Sequence, residues 1–249
     1  MLNQAPVVFL IDVDNTLLDN DRFATDLSDL LVSHFGHDQS ARFWAIYAGM
    51  RERLGYADYL GALQQFGDGH FDALAVSRVS AFMLDYPFDE HLYPGALALI
   101  THLHGIGLPV LFSDGDSVFQ PRKIQRSGLG EAVDGQVMVC VHKERMLDLM
   151  QRRFPARHYV MIDDKPRLLA AVKRVLTDSL TTVFVCQGHY ALAAAGEPLE
   201  PPNDLSVALI GDLCAFALSD FNAGTIASAT TSTRNVALVP PPSELPEQT

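Results

Sequence analysis

Five short runs of apolar and β-branched residues recur along the chain: Val7 to Ile11, Leu108 to Phe112, Val137 to Val141, His158 to Ile162 and Thr181 to Val185. They are too short for membrane helices, and the first, Val7 to Ile11, is apolar throughout rather than alternating. That pattern suits strands buried on both faces of a parallel sheet. Between them the apolar positions recur every three or four residues. Leu97, Ile100 and Leu103 precede Gly105, and a helix follows from about Val118 to Arg126. Met146, Leu149, Met150 and Phe154 form the next stripe. Pro166 then opens a helix carrying Leu168, Leu169, Val172, Val175 and Leu176. Strand alternating with helix predicts an α/β fold with a parallel sheet.

Residues 20–92 break the alternation. Phe23, Leu27, Leu30, Leu31 and Phe35 fall at helical spacing behind the caps Asn20 and Asp21 and before Gly36. Asp38 opens a second helix with Phe43, Ile46, Tyr47, Met50 and Leu54 on one face, and shorter helical pieces follow near 58–66 and 72–85. A crossover between parallel strands needs only a dozen or so residues, so this strand-free stretch reads as a separate helical module. The core is then 1–19 together with 93–220. One more helix is expected from Asp204 to Leu218. From 221 to 249 the chain is rich in Ala, Gly, Ser, Thr and Pro, a composition that cannot bury a core and predicts a disordered tail. Its apolar island, Val236 to Val239, is the stretch in it able to dock.

The first run ends in Asp12, with Asp14 two places on. Two carboxylates at the carboxyl end of a central strand are costly without a cation or hydrogen bonds, and that edge is where open α/β sheets bind ligands. The second run ends in Ser113-Asp114-Gly115-Asp116, the third in His142-Lys143-Glu144-Arg145, the fourth in Asp163-Asp164. Each has a bland reading: Asx turns for the acids, a helix cap for Ser113, a solvated surface position for Lys143. Asp114 and Asp116 read as turn and capping residues. Adjacent acids such as Asp163 and Asp164 repel, so something must hold them together.

Taken in order, these strand ends resemble the four motifs of the haloacid dehalogenase-like superfamily, and the resemblance runs from about residue 7 to 190. Asp12-Val13-Asp14-Asn15-Thr16 is similar to its first motif, Asp-x-Asp-x-Thr. The resemblance implies a Rossmann-like parallel sheet with helices on both faces and an inserted α-helical cap, here 20–92, that excludes water and selects the substrate. It implies Asp12 as nucleophile, Asp14 as general acid, and Ser113 and Lys143 as contacts to the phosphoryl group. Arg145 and Lys165 are the alternatives to Lys143 if the strand ends elsewhere. Mg²⁺ would be held by Asp12, the backbone carbonyl of Asp14, and Asp164, with Asp163 behind it or exchanging roles with it. The implied activity is hydrolysis of a small phosphorylated metabolite through an aspartyl-phosphate. A phosphomutase of the same superfamily, or a binding protein that keeps the fold without catalysis, are the alternatives. The second acid argues against true dehalogenases, which lack it, and against transport ATPases.

Charge changes the picture only by exclusion. A formal net charge of -12 over 249 residues speaks against a nucleic-acid or anionic-membrane surface, whereas a bound divalent cation still permits an anionic small substrate. Arg22, Arg51 and Arg78 in the helical module are candidates to meet an anionic group. Cys140, Cys186 and Cys214 are widely spaced, with no Cys-x-x-Cys, which predicts reduced thiols in a cytoplasmic protein. The N-terminus has no basic region or signal-like apolar run, and the late apolar stretch Leu205 to Leu218 is interrupted by Gly211 and Asp212. Oligomeric state has no signature in the sequence.

Overall fold

The structure, a computed structural model, describes residues 5–68, 73–193 and 199–221. The strands are β1 (Ala5–Ile11), β2 (Leu108–Asp114), β3 (Val137–Cys140), β4 (Ala156–Asp163), β5 (Leu180–Val185) and β6 (Leu205–Val207). They form one sheet in the order β3-β2-β1-β4-β5-β6, with every pairing parallel. Val7, Phe9 and Ile11 enter one apolar cluster and Val8 and Leu10 the other. Successive side chains point to opposite faces, and both faces are covered. That is why the run carries no polar residue. β2 and β4 flank β1 on opposite sides, so the strand order reverses at β1 and opens a crevice at the carboxyl ends. The amide of Asp12 donates to the carbonyl of Ile162 at 3.0 Å, which keeps β1 and β4 level there.

Four helices follow β1: α1 (Asn20–Phe35), α2 (His37–Leu54), α3 (Tyr59–Gly67) and α4 (Ala73–Asp85). The cap of α1 is Asp19, which accepts the amide of Arg22 at 2.9 Å, rather than Asn20 or Asp21. Asp58 caps α3 through the amide of Gly61 at 2.7 Å. Asn20 and Asp21 are therefore free to turn toward the sheet edge. The Phe23 ring packs against Tyr59, Tyr86, Phe88 and Phe119 with centroids 5.1–5.6 Å apart. Phe119 belongs to a core helix, so the apolar interior of the insertion is continuous with that of the sheet's near face. The remaining helices are α5 (Ala96–His104), α6 (Phe119–Arg126), α7 (Leu129–Ala132), α8 (Leu147–Arg153), α9 (Pro166–Leu176) and α10 (Gly188–Ala193).

Several sequence expectations need correction. Leu97, Leu149 and Val175 are exposed, while Leu99 and Leu147 are buried. Periodicity defines the spacing of an apolar stripe, but docking against the sheet sets its phase. The helix expected from Asp204 to Leu218 is instead β6 followed by 3₁₀ turns at Ile210–Ala215 and Leu218–Phe221. The Asp204 carboxylate accepts from the Thr182 amide at 2.8 Å, the Thr182 hydroxyl at 3.0 Å and the Lys173 ammonium at 2.8 Å. These bonds hold the segment extended beside β5. Gly211 then lies so close to Pro94 that a Cβ would stand 2.9 Å from its carbonyl oxygen. The tail beyond 221, including Val236 to Val239, lies outside the described residues. Among the described residues no helix is long and apolar enough to cross a membrane.

Candidate active site

Asp12, at the end of β1, is buried, and Lys143 donates to its Oδ1 at 2.5 Å. The same ammonium donates to Oδ2 of Asp163 at 2.8 Å. Lys143 reaches inward because His142 before it adopts a left-handed backbone, φ 62°, which ends β3 and starts a 3₁₀ turn at Lys143–Arg145. The turn is held by the Lys143 amide, which donates to Asp114 Oδ1 at 2.9 Å. Burial pushes the Asp12 carboxyl up, but the Lys143 ammonium, with Lys165 behind it, holds it below the usual carboxylate range. Burial likewise opposes the charge on Lys143, yet Asp12, Asp163 and Asp114 together raise it well above an ordinary lysine.

Asp164 is different. It is fully buried, and neither carboxylate oxygen accepts a hydrogen bond. Lys165 Nζ stands 3.9 Å away, beyond hydrogen-bond reach. Burial, reinforced by the charges of Asp163 and Asp12 and opposed by Lys165, pushes the Asp164 carboxyl up to about 9. Asp163, by contrast, is committed, accepting from Lys143 and from the Lys165 amide at 3.0 Å. One oxygen each from Asp12, Asp163 and Asp164 lies within 4.8 Å of the others. A buried, all-oxygen set containing an unpartnered carboxylate fits a hard divalent cation.

Asp14 stands at the mouth of the crevice. Its Oδ1 accepts from Lys123 Nζ at 2.7 Å and its Oδ2 from Gln120 Nε2 at 3.2 Å. The same Gln120 nitrogen donates to Ser113 Oγ at 2.9 Å. Asp116 caps α6 by accepting the amides of Val118 and Phe119, so it is a structural acid, as its place in the sequence suggested. Above Asp14 lies a cavity of about 320 Å³ whose walls include Asn20, Trp44, Tyr47, Arg51, Tyr59 and Lys165. Of the three arginines of the helical module, Arg51 lines this space, its guanidinium 4.9 Å over the Tyr190 ring, while Arg22 pairs with Asp26 on the surface.

A family model for a haloacid dehalogenase-like hydrolase matches residues 7–175. The chain belongs to that family. A solved haloacid dehalogenase-like hydrolase of Burkholderia xenovorans LB400 is 48% identical to this hydrolase, with a TM-score of 0.80 over 86% of this chain and 98% of that one. A family hydrolase of Xanthomonas campestris shares the fold at 19% identity, with a TM-score of 0.61 over 90% of this chain and 96% of that one. A curated relative, (DL)-glycerol-3-phosphatase 1, mitochondrial, of Arabidopsis thaliana, is 29% identical over 113 residues, which are 43% of this chain and 35% of that protein. The chain thus spans about a third of the length of that relative.

The hydrolase brings Asp12, Asp14, Ser113, Lys143, Asp163 and Asp164 to one edge of the sheet. Sequence reasoning passed over Gln120 and Lys123. Both are polar residues on the buried face of α6, a burial that only the packing of that helix reveals. The metal assignment carries a test that needs no turnover. Adding Mg²⁺ to the metal-free protein should raise its thermal midpoint, because a ligand that binds only the folded state stabilises it. Asp164→Asn should abolish that rise with little change in the metal-free midpoint. Asp163→Asn should keep part of the rise but lower the metal-free midpoint, since it leaves Lys143 one anion short. The opposite pattern would exchange the two acids' roles.

Proposed function

We propose that this hydrolase cleaves small phosphomonoesters with Mg²⁺, through an aspartyl-phosphate on Asp12. The observation that carries the reading is the buried Asp164 carboxylate, which accepts no hydrogen bond, beside an ion-paired Asp12. The phosphatase relative from Arabidopsis supports it over the matched third of that protein. Asp12, Asp164 and the backbone carbonyl of Asp14 would hold the cation, with Asp163 behind them. When bound, Mg²⁺ neutralises the phosphoryl oxygens and eases the approach of two anions.

The side chains divide the remaining work. An oxygen of Asp12 attacks phosphorus in line as the bond to the leaving oxygen breaks. Ser113 and Lys143 bind the equatorial oxygens, whose negative charge must be met throughout. Asp14 gives its proton to the departing alkoxide. It then takes one from the water that attacks phosphorus, and the acyl-phosphate bond breaks to restore the Asp12 carboxylate and release phosphate. Residues 20–92 serve as the cap, enclosing the leaving group in the cavity above Asp14 and excluding water.

The experiment is phosphate release from a panel of small phosphomonoesters, measured as purified, after EDTA, and after Mg²⁺ is restored. Turnover should vanish with EDTA and return with Mg²⁺. Equal rates in all three conditions would sink the reading.

A further inference from the structure

Helix α6 carries a lysine that ordinary packing does not explain. Lys123 is 1% exposed, and its ammonium lies 5.3–6.0 Å from the ring centroids of Phe23, Tyr59, Phe88 and Phe119. Cation–π contacts offset part of the cost of burying it. Its polar partners are Asp14 Oδ1 and Asn20 Oδ1, each at 2.7 Å. Three residues earlier on the same helix, Gln120 is also buried and spans Asp14 and Ser113 with one amide nitrogen. This glutamine sits where Gly115 makes room for it: a Cβ on Gly115 would stand 2.7 Å from Gln120 Cβ.

We infer that Lys123 and Gln120 are positioning residues for Asp14. Together they hold both oxygens of its carboxylate and fix its distance to the hydroxyl of Ser113. The inference rests on the proposed phosphatase reading, in which Asp14 exchanges protons with the leaving group while Ser113 holds the phosphoryl group. One rigid helix turn then sets the spacing between the group that handles the proton and the group that handles the phosphate. Asn20 extends the device: its oxygen fixes Lys123, and its amide nitrogen donates to the Tyr59 hydroxyl at 3.4 Å. Tyr59 belongs to α3, so the aim of the acid is tied to a wall of the substrate cavity.

A lysine that only glues α6 to the insertion would, when removed, lower stability and slow all substrates alike. A positioning lysine does something else. A displacement of about 1 Å at a reacting group costs on the order of 100-fold, and here the loss falls on substrates that need the proton. The experiment compares kcat and KM for wild type, Lys123→Met and Asn20→Ala on an alkyl phosphate and on p-nitrophenyl phosphate, with Mg²⁺ present and below each thermal midpoint. Lys123→Met should lose about 100-fold in kcat on the alkyl ester. Its loss on p-nitrophenyl phosphate should be under about tenfold, with KM for both little moved. Asn20→Ala, which frees the lysine without removing its charge, should show the same selectivity more weakly. It decides the matter if Lys123→Met does not fold. Equal losses on both substrates, or a change confined to KM, would overturn the inference while leaving the phosphatase reading intact. Absence of turnover in the wild type would overturn both.

Discussion

Asp12→Asn should reduce turnover by on the order of 10⁴- to 10⁶-fold on every phosphomonoester the wild type accepts, the scale on which a covalent nucleophile matters. The amide oxygen is a poor nucleophile and carries no charge for Mg²⁺. The loss should therefore be large whatever the leaving group, because every alcohol departs only as Asp12 attacks phosphorus. The fold should survive. Lys143 keeps its 2.8 Å bond to Asp163 and remains close to Asp114, so its ammonium is not left without an anion. The measurement is single-turnover phosphate release for wild type and variant on two unlike esters, with the thermal midpoint recorded for each. Mass spectrometry of acid-quenched enzyme should show a phosphorylated species in the wild type and none in the variant. Residual activity within about tenfold of wild type would remove Asp12 from the role of nucleophile.

Asp14→Asn should produce a different pattern. A general acid contributes about 10²- to 10⁴-fold, and it does so in proportion to how badly the leaving oxygen needs a proton. An alkyl phosphate expels a strongly basic alkoxide and should suffer the full loss. A p-nitrophenyl phosphate expels a stabilised phenolate and should lose far less. The aspartyl-phosphate should accumulate, because the same carboxylate later activates water. The structure adds a cost. Asp14 is the carboxylate bonded to the buried Lys123 ammonium. Removing its charge leaves that ammonium with the Asn20 oxygen and aromatic rings, an uncompensated charge that destabilises by about 3 kcal/mol. The thermal midpoint should fall accordingly, and rates must be compared below it. Equal loss on both esters in folded, Mg²⁺-bound variant would mean that Asp14 is not the general acid.

Much of the fold and site was legible in the chain because it is written locally. The run Val7 to Ile11 has no polar position, which requires cover on both faces, and β1 proves to be the strand at which the sheet order reverses. Asp12, Ser113 and Asp163 follow or close such runs, so a strand end could be read directly as a place at the sheet's carboxyl edge. The strand-free stretch after Asp19 likewise announced a helical insertion, because nothing in it alternates or runs apolar. Lys143 was placed at that edge by its position after β3. Its bridging of Asp12 and Asp163 depends on the left-handed turn at His142, which no spacing reveals.

What only the tertiary structure decided has a common physical cause: it depends on contacts between residues far apart in sequence. The distinction between Asp163 and Asp164 is of this kind, since one accepts a hydrogen bond from Lys143 at β3's end and the other accepts none. The segment from Asp204 has a helical pattern, yet it is held extended by Thr182 and Lys173, so cross-chain hydrogen bonds outweighed local periodicity. Asn20 read as a helix cap, but Asp19 fills that role, and Asn20 instead turns to a lysine more than 100 positions away. Lys123 itself looks like any lysine in a helix. Its meaning appears when the rings of the insertion close around it and leave Asp14 as its charged partner, because burial turns an ordinary ion pair into a constraint on where a carboxylate points.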